Sequence, residues 1–154
     1  MPVPAPSPDA RAVVTGASQN IGEALATELA ARGHHLIITA RRGDVLAEVA
    51  QRITDKYGVT VEVRACDLTD PADRDKLCAE LAERNISILC ANAGTATFGA
   101  VADLPAEGEK AQVQLNVQGV HDLVLADGTA SGRLQPGEST TVEAGVISHD
   151  LAGW

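Results

Sequence analysis

The stretch Val14-Thr15-Gly16-Ala17-Ser18-Gln19-Asn20-Ile21-Gly22 decides the fold. It joins a short apolar run at residues 12–15 to an amphipathic one at residues 21–32, which Gly33 ends. A strand that turns into a helix through such a loop aims backbone N–H groups beyond the strand end. The helix dipole then favours an anion at that point. Gly16 permits a tight turn without a Cβ, and Gly22 lets the helix pack closely on the strand.

Working outward, residues 35–39 (HLIIT) read as a second strand, too continuously apolar to have a solvated face. Residues 43–57 place Val45, Leu46, Val49 and Ile53 at helical spacing and stop at Gly58. Residues 59–64 alternate like a strand. Thr69-Asp70-Pro71 is a helix start, a capping side chain followed by proline in the first turn, and that helix runs to about Arg84. Residues 86–91 form a fourth strand and 107–126 a fourth helix. This alternation of strand and helix predicts an α/β fold with a parallel sheet and right-handed crossovers. The texture changes at about Asp127. Residues 127–138 are rich in Gly, Ser, Thr and Asp, residues 140–147 (TTVEAGVI) read as one strand, and 148–154 as a short tail. The expected division is a flexible, Pro-rich leader at 1–10, a domain at 11–126, and a segment at 127–154 that completes it.

The chain's 154 residues suffice for one domain and not for two. Aromatic residues make up only 2%, so the core must be built from Val, Ile, Leu and Ala. A net charge of −9 excludes a broad surface for nucleic acid or anionic membrane, whose phosphates would be repelled. Cys66, Cys78 and Cys90 form no CxxC pair and no cluster with histidine, and read as reduced thiols of a cytoplasmic protein. No apolar run is long enough to span a bilayer.

Four further stretches stand at strand ends or on the fourth helix. They are Thr39-Ala40-Arg41-Arg42, Ala65-Cys66-Asp67-Leu68, Cys90-Ala91-Asn92-Ala93-Gly94 and Gln114-Leu115-Asn116-Val117. Taken with the opening loop, residues 11–126 resemble the short-chain dehydrogenase/reductase family. The loop is similar to that family's TGxxxGxG pattern, with Asn20 in place of the middle glycine. Asn is the non-glycine residue best suited to a left-handed conformation. The resemblance implies a Rossmann-like three-layer half-domain with a parallel sheet of four to five strands. It also implies that Gly16, Ser18, Gln19, Asn20, Ile21 and Gly22 cradle a dinucleotide diphosphate. Arg41 matches the position that selects NADP, with Arg42 as a second contact. Guanidinium groups pair with a 2′-phosphate that a carboxylate would repel. Two solvated arginines are the alternative, but cations at a helix N-terminus oppose its dipole and a ligand phosphate would account for them. Asp67 would accept from the adenine amine, with the Leu68 backbone alongside. Asn92, Ala93 and Gly94 match a motif that braces the central strands and lines the cofactor crevice. Asn116 matches a helix asparagine that holds a water in a proton relay. The implied cofactor and partner is NADP(H).

The same family needs a Ser after the fifth strand, and a Tyr followed four residues later by a Lys. Here Tyr57 lies in the second helix, no lysine follows Lys110, and Ser148 would stand alone. The expectation is therefore binding of NADP(H) without turnover. The final portion, with His121-Asp122-Leu123-Val124-Leu125-Ala126, Leu134-Gln135-Pro136-Gly137-Glu138-Ser139-Thr140-Thr141 and Asp150-Leu151-Ala152-Gly153-Trp154, resembles part of a multicopper-oxidase cupredoxin domain. That resemblance implies a copper-ligand ancestry for His121, yet one imidazole cannot form a blue-copper site, so no metal is expected. Together the two resemblances read as a chimera that switches parent near the end of the fourth helix, with residues 140–147 as a foreign fifth strand. A half-sheet leaves an edge and apolar helix faces to cover, which a homodimer would bury. The alternatives are a structural recombinant oligomer that binds no cofactor, a residual NADP-dependent reductase acting through Ser148 or a partner chain, and a copper protein.

Overall fold

In the computed structural model of the chain, which describes residues 3–126, four strands alternate with helices. They are β1 (Arg11–Thr15), β2 (Leu36–Ala40), β3 (Val61–Ala65) and β4 (Ile86–Cys90), with α1 (Asn20–Ala31), α2 (Gly43–Tyr57) and α3 (Pro71–Ala82) between them. All pairings are parallel and the order is β3-β2-β1-β4, so the chain reverses its direction of strand addition between β1 and β4. Ala12 faces Leu36 on one side and Ile88 on the other, and Val14 faces Ile38 and Cys90.

The continuous apolar runs of β1 and β2 follow from this placement, because each has a strand on both sides and helices on both faces. Ala12, Val14, Leu36 and Ile38 point into one core layer with Ala26 and Leu29 of α1 and Leu46, Val49 and Ile53 of α2. Val13 and Ile37 point the other way, into a layer with Leu68, Leu77, Leu81 and Leu123. Each fully buried Leu, Ile or Val contributes about 1.5–3 kcal/mol of transfer free energy. Two apolar layers on one sheet make the three-layer fold that the sequence implied.

Local signals placed most boundaries. α2 ends at Gly58, whose φ of 70° is left-handed and whose N–H donates to the Thr54 carbonyl at 2.8 Å. α3 begins within the expected Thr69-Asp70-Pro71 start, with Pro71 as its first residue. Asp70 is the cap, accepting from Ala72 N at 2.8 Å, while the Thr69 hydroxyl donates to Asp67 Oδ1 at 2.7 Å. β3 starts at Val61 rather than residue 59 because Thr60 N–H is drawn to His35 Nδ1 at 2.9 Å.

The fourth helix departs most from expectation. It runs as α4 (Ala106–Val113), a wide π turn over Gln114–Gly119, and α5 (Val120–Ala126). The widened turn coincides with two tethers. Asn116 exchanges hydrogen bonds with the Thr95 backbone, and Gly119 lies close against Leu68. No helix among the described residues is long and apolar enough to cross a membrane. The expected fifth strand at 140–147 and the segment around it lie outside the described residues.

β3 is fastened to α3 by a cluster of ions. Glu62 accepts from Arg11 Nε at 3.0 Å, from Arg64 Nη2 at 3.0 Å and from Arg84, and Arg64 also pairs with Glu80. Burial disfavours the Glu62 carboxylate, but its hydrogen bonds from Arg11 and Arg84 and the charge of Arg64 outweigh that and hold its carboxyl below the usual range. The Arg64 hydrogen bond does the same for Glu80.

A carboxyl with a depressed folded-state pKa adds stability that is present above the unfolded value, about 4.3 for Glu, and lost as pH falls through the folded one. Glu62→Gln is therefore expected to lower the urea midpoint at neutral pH, and to converge with the parent chain as pH drops below about 4. A midpoint difference that stays constant across this range would contradict the assignment. A second expectation concerns α1, which lies so close to the β1 end that a Cβ on Gly22 would fall 2.2 Å from the Gly16 carbonyl oxygen. Gly22→Ala is expected to cost about 3 kcal/mol or more in denaturant unfolding, since backbone must shift to admit it. Gly58→Ala, whose Cβ meets nothing within 4 Å, should cost only the left-handed penalty of about 1–2 kcal/mol.

Candidate functional site

The C-terminal ends of the four strands open into one cleft of about 780 Å³, centred on the switch point between β1 and β4. β1 leaves the sheet at Thr15 and turns through Gly16, whose φ is 67°. A Cβ on Gly16 would lie 2.9 Å from the Ala93 backbone, so the turn closes against the end of β4. Asn20 adopts a φ of 52°, the left-handed conformation that glycine would otherwise supply. The substitution of Asn for Gly thus leaves the loop path intact.

α1 opens without a side-chain cap. Its first amides have no partner within the helix, the condition under which a helix N-terminus receives an anion. The Gln19 side chain stands at the capping position but is engaged elsewhere. Its Oε1 accepts from Arg42 Nη2 at 2.8 Å. Arg42 itself opens α2, again with no side-chain cap, so two uncapped helix starts and two arginines meet on one side of the cleft.

On the β3 side, Asp67 Oδ1 accepts from both the N–H and the hydroxyl of Thr69, at 3.0 and 2.7 Å. Burial raises the Asp67 pKa, but the two Thr69 hydrogen bonds and the charge of Arg41 prevail and keep the carboxyl below its ordinary range. Asp67 is therefore an ionised acceptor at neutral pH. Cys66 also lines the cleft, yet burial, with Asp73 and Asp67 nearby, pushes its thiol up to about 11. It is a poor nucleophile there.

The β4 side is fixed by three hydrogen bonds. Asn92 Nδ2 donates to the Thr15 carbonyl at 3.0 Å, Ala93 N donates to Thr15 Oγ1 at 2.9 Å, and that hydroxyl donates to the Cys90 carbonyl at 3.5 Å. These clamp the ends of β1 and β4 together, leaving Asn92, Ala93 and Gly94 on the cleft wall.

Every candidate binding residue named from the sequence, namely Gly16, Ser18, Gln19, Asn20, Ile21, Gly22, Arg41, Arg42, Asp67, Leu68, Asn92, Ala93 and Gly94, lines this cleft. Ala40, Cys66, Thr69 and Leu115 line it as well. Thr69 carried a signal that sequence reading missed, an Asp-x-Thr spacing suited to an Asx turn. Leu115 carried none, since only the path of the fourth helix brings it there. Asn116 does not reach the wall. Its Oδ1 accepts from Thr95 N at 3.1 Å and its Nδ2 donates to the Thr95 carbonyl at 2.8 Å. Tyr57 also lies off the cleft, at the end of α2, packed on the core with the Lys56 ammonium 5.1 Å from its ring centroid. His121 sits on α5 with Nδ1 3.2 Å from Asp122 Oδ1.

Comparison with known proteins matches this geometry to a family. The family model for short chain dehydrogenase covers residues 10–127. An uncharacterized oxidoreductase of Staphylococcus saprophyticus is 35% identical over 113 residues, 72% of this chain and 48% of that protein. The very-long-chain 3-oxoacyl-CoA reductase of Bos taurus is 40% identical over 83 residues, 54% of this chain and 27% of that protein. Among solved structures, a short-chain dehydrogenase from Sphingobium yanoikuyae in complex with NADPH superposes with a TM-score of 0.74 at 38% identity, over 76% of this chain and 46% of the other.

One expectation is corrected by these findings and a second gains nothing from them. A protein without turnover was inferred from the missing Tyr-x-x-x-Lys pair, yet the relatives are named oxidoreductases and reductases. Because the chain spans less than half the length of the relatives named above, the pair's absence from its 154 residues carries no weight. The chimera reading finds no support: the family match covers residues 10–127, as the reductase-like part was expected to, and nothing in the comparisons supports a cupredoxin parent. From loop, clamp and match together, the chain belongs to the short-chain dehydrogenase family.

Proposed function

We propose that the described residues form the coenzyme-holding portion of an NADP(H)-dependent oxidoreductase. The observation that carries this is the pair of uncapped helix starts facing one cleft, with Arg41 and Arg42 where a carboxylate would exclude a 2′-phosphate. The NADPH present in the Sphingobium yanoikuyae structure supports the same reading.

The residues fit that cofactor by their own geometry. Gly16 and Gly22 keep the cleft floor free of side chains, so the amides of residues 20–22 can meet a diphosphate. Arg41 and Arg42 would grip the 2′-phosphate, with the phosphate competing against Gln19 for the Arg42 guanidinium. Asp67, ionised and with Oδ1 occupied by Thr69, would accept from the adenine amine through Oδ2. Asn92 to Gly94 would border the nicotinamide end, and Leu115, packed with Cys66 and Leu68, would lie toward the adenine turn. When bound, NADPH supplies a hydride to a carbonyl substrate or NADP takes one from an alcohol. Self-association belongs to the same proposal, since Val113, Val117 and Leu125 are exposed along the 106–126 helix.

Calorimetry on the 154-residue chain tests the reading. A pair of charge-assisted hydrogen bonds to the 2′-phosphate is worth about 3 kcal/mol, so NADP is expected to bind at least tenfold more tightly than NAD, on the order of a hundredfold if both bonds form. Arg41→Asp should cancel or reverse the preference. Equal affinities in the parent chain would remove the arginine argument, and no binding of either would remove the whole reading.

A further inference from the structure

Behind the adenine side of the cleft lies a charged group that no cofactor contact uses. Arg74, on α3, is only 4% exposed, yet its guanidinium reaches three separate segments. Nε donates to Asp122 Oδ2 of α5 at 2.7 Å, and Nη1 donates to the Leu68 carbonyl at 2.9 Å and to Gln114 Oε1 of the π turn at 3.5 Å. Asp122 is held from its other side by Gln118 Nε2 at 2.6 Å and by His121.

Burying an ion pair is a poor way to gain stability, because desolvation cancels much of the attraction. What such a pair supplies is a fixed geometry. Here the fixed object is the turn at residues 66–69. The Leu68 side chain is buried among Leu77, Leu81 and Leu123, and its carbonyl is taken by Arg74. With side chain and carbonyl both anchored inward, the flanking Asp67 and Thr69 are left on the cleft wall. We propose that Arg74 is a positioning residue, which ties the adenine-facing turn at Asp67–Thr69 to α5 through Asp122. This rests on the cofactor reading given above and deepens it. It means that the placement of the fourth helix sets the affinity for the adenine end.

The test uses the whole chain and two ligands, NADP and adenosine 2′,5′-bisphosphate, which keeps the adenosine end with its 2′- and 5′-phosphates and lacks the nicotinamide half. Asp122→Asn preserves shape at a partly exposed position while removing the charge that holds Arg74. Arg74→Lys keeps a cation but loses the fork that reaches Asp122 and Leu68 together. Val49→Ala, in the opposite core layer, serves as a control for general destabilisation. Both variants are expected to weaken the two ligands by the same factor, about tenfold for the loss of one charge-assisted hydrogen bond. They should also speed hydrogen exchange at the Thr69 amide, which Asp67 Oδ1 accepts. Val49→Ala should lower stability and leave both affinities and that amide unchanged. Should Arg74→Lys fail to fold, Asp122→Asn decides alone. Parent-like affinities in Asp122→Asn overturn the positioning role while leaving the cofactor reading intact. The role is equally overturned if Val49→Ala causes the same loss. Failure of the parent chain to bind either ligand removes both proposals.

Discussion

The structure depends on one close approach, that of α1 to the end of β1. The helix can sit there only because Gly22 carries no side chain against the Gly16 carbonyl and Gly16 carries none against Ala93. The Thr15, Asn92 and Ala93 hydrogen bonds then fix β4 alongside. Together these contacts hold the end of β4 beside β1 and shape the cleft there. The strand ends converge, the first amides of α1 face outward, and no side chain obstructs them. Asn20 shows what the constraint demands, since it keeps the backbone path by adopting a left-handed φ of 52°.

Magnitudes separate what this cradle does from what the arginines do. An anion at a helix start gains about 0.3–1 kcal/mol, up to about 2 when partly buried. That gain is common to every dinucleotide, because each carries the diphosphate. Discrimination must come from groups that meet the one feature in which the coenzymes differ. The proposed function gives that place to Arg41 and Arg42, which line the cleft, and charge-assisted hydrogen bonds of about 1.5–3 kcal/mol each are large enough to decide between two coenzymes. On the proposed reading, binding and selection would be carried by different residues on the same wall.

Legibility in the sequence followed the range of the interactions. α2 was readable to the residue because its apolar spacing and its Gly58 cap are local. The candidate cleft residues were readable because strand ends in a parallel sheet share one edge, so motifs far apart in sequence must meet. Features that depend on distant partners were not readable. The π turn reflects Thr95 and Leu68, neither of which marks the helix from within. Arg74 looks like any exposed helix cation until α5 is laid across it. The sequence left the α3 cap open between Thr69 and Asp70, and the structure gives it to Asp70 while the Thr69 hydroxyl donates to Asp67. The expectation of a protein without turnover failed for another reason. It read meaning into residues absent from a chain that spans only part of its relatives.

A structure of the chain grown with excess NADP examines the central claim most directly. The account requires the diphosphate against the amides of residues 20–22, the 2′-phosphate between Arg41 and Arg42, and adenine beside Asp67. An empty cleft, or a coenzyme seated away from the β1–α1 turn, would contradict it.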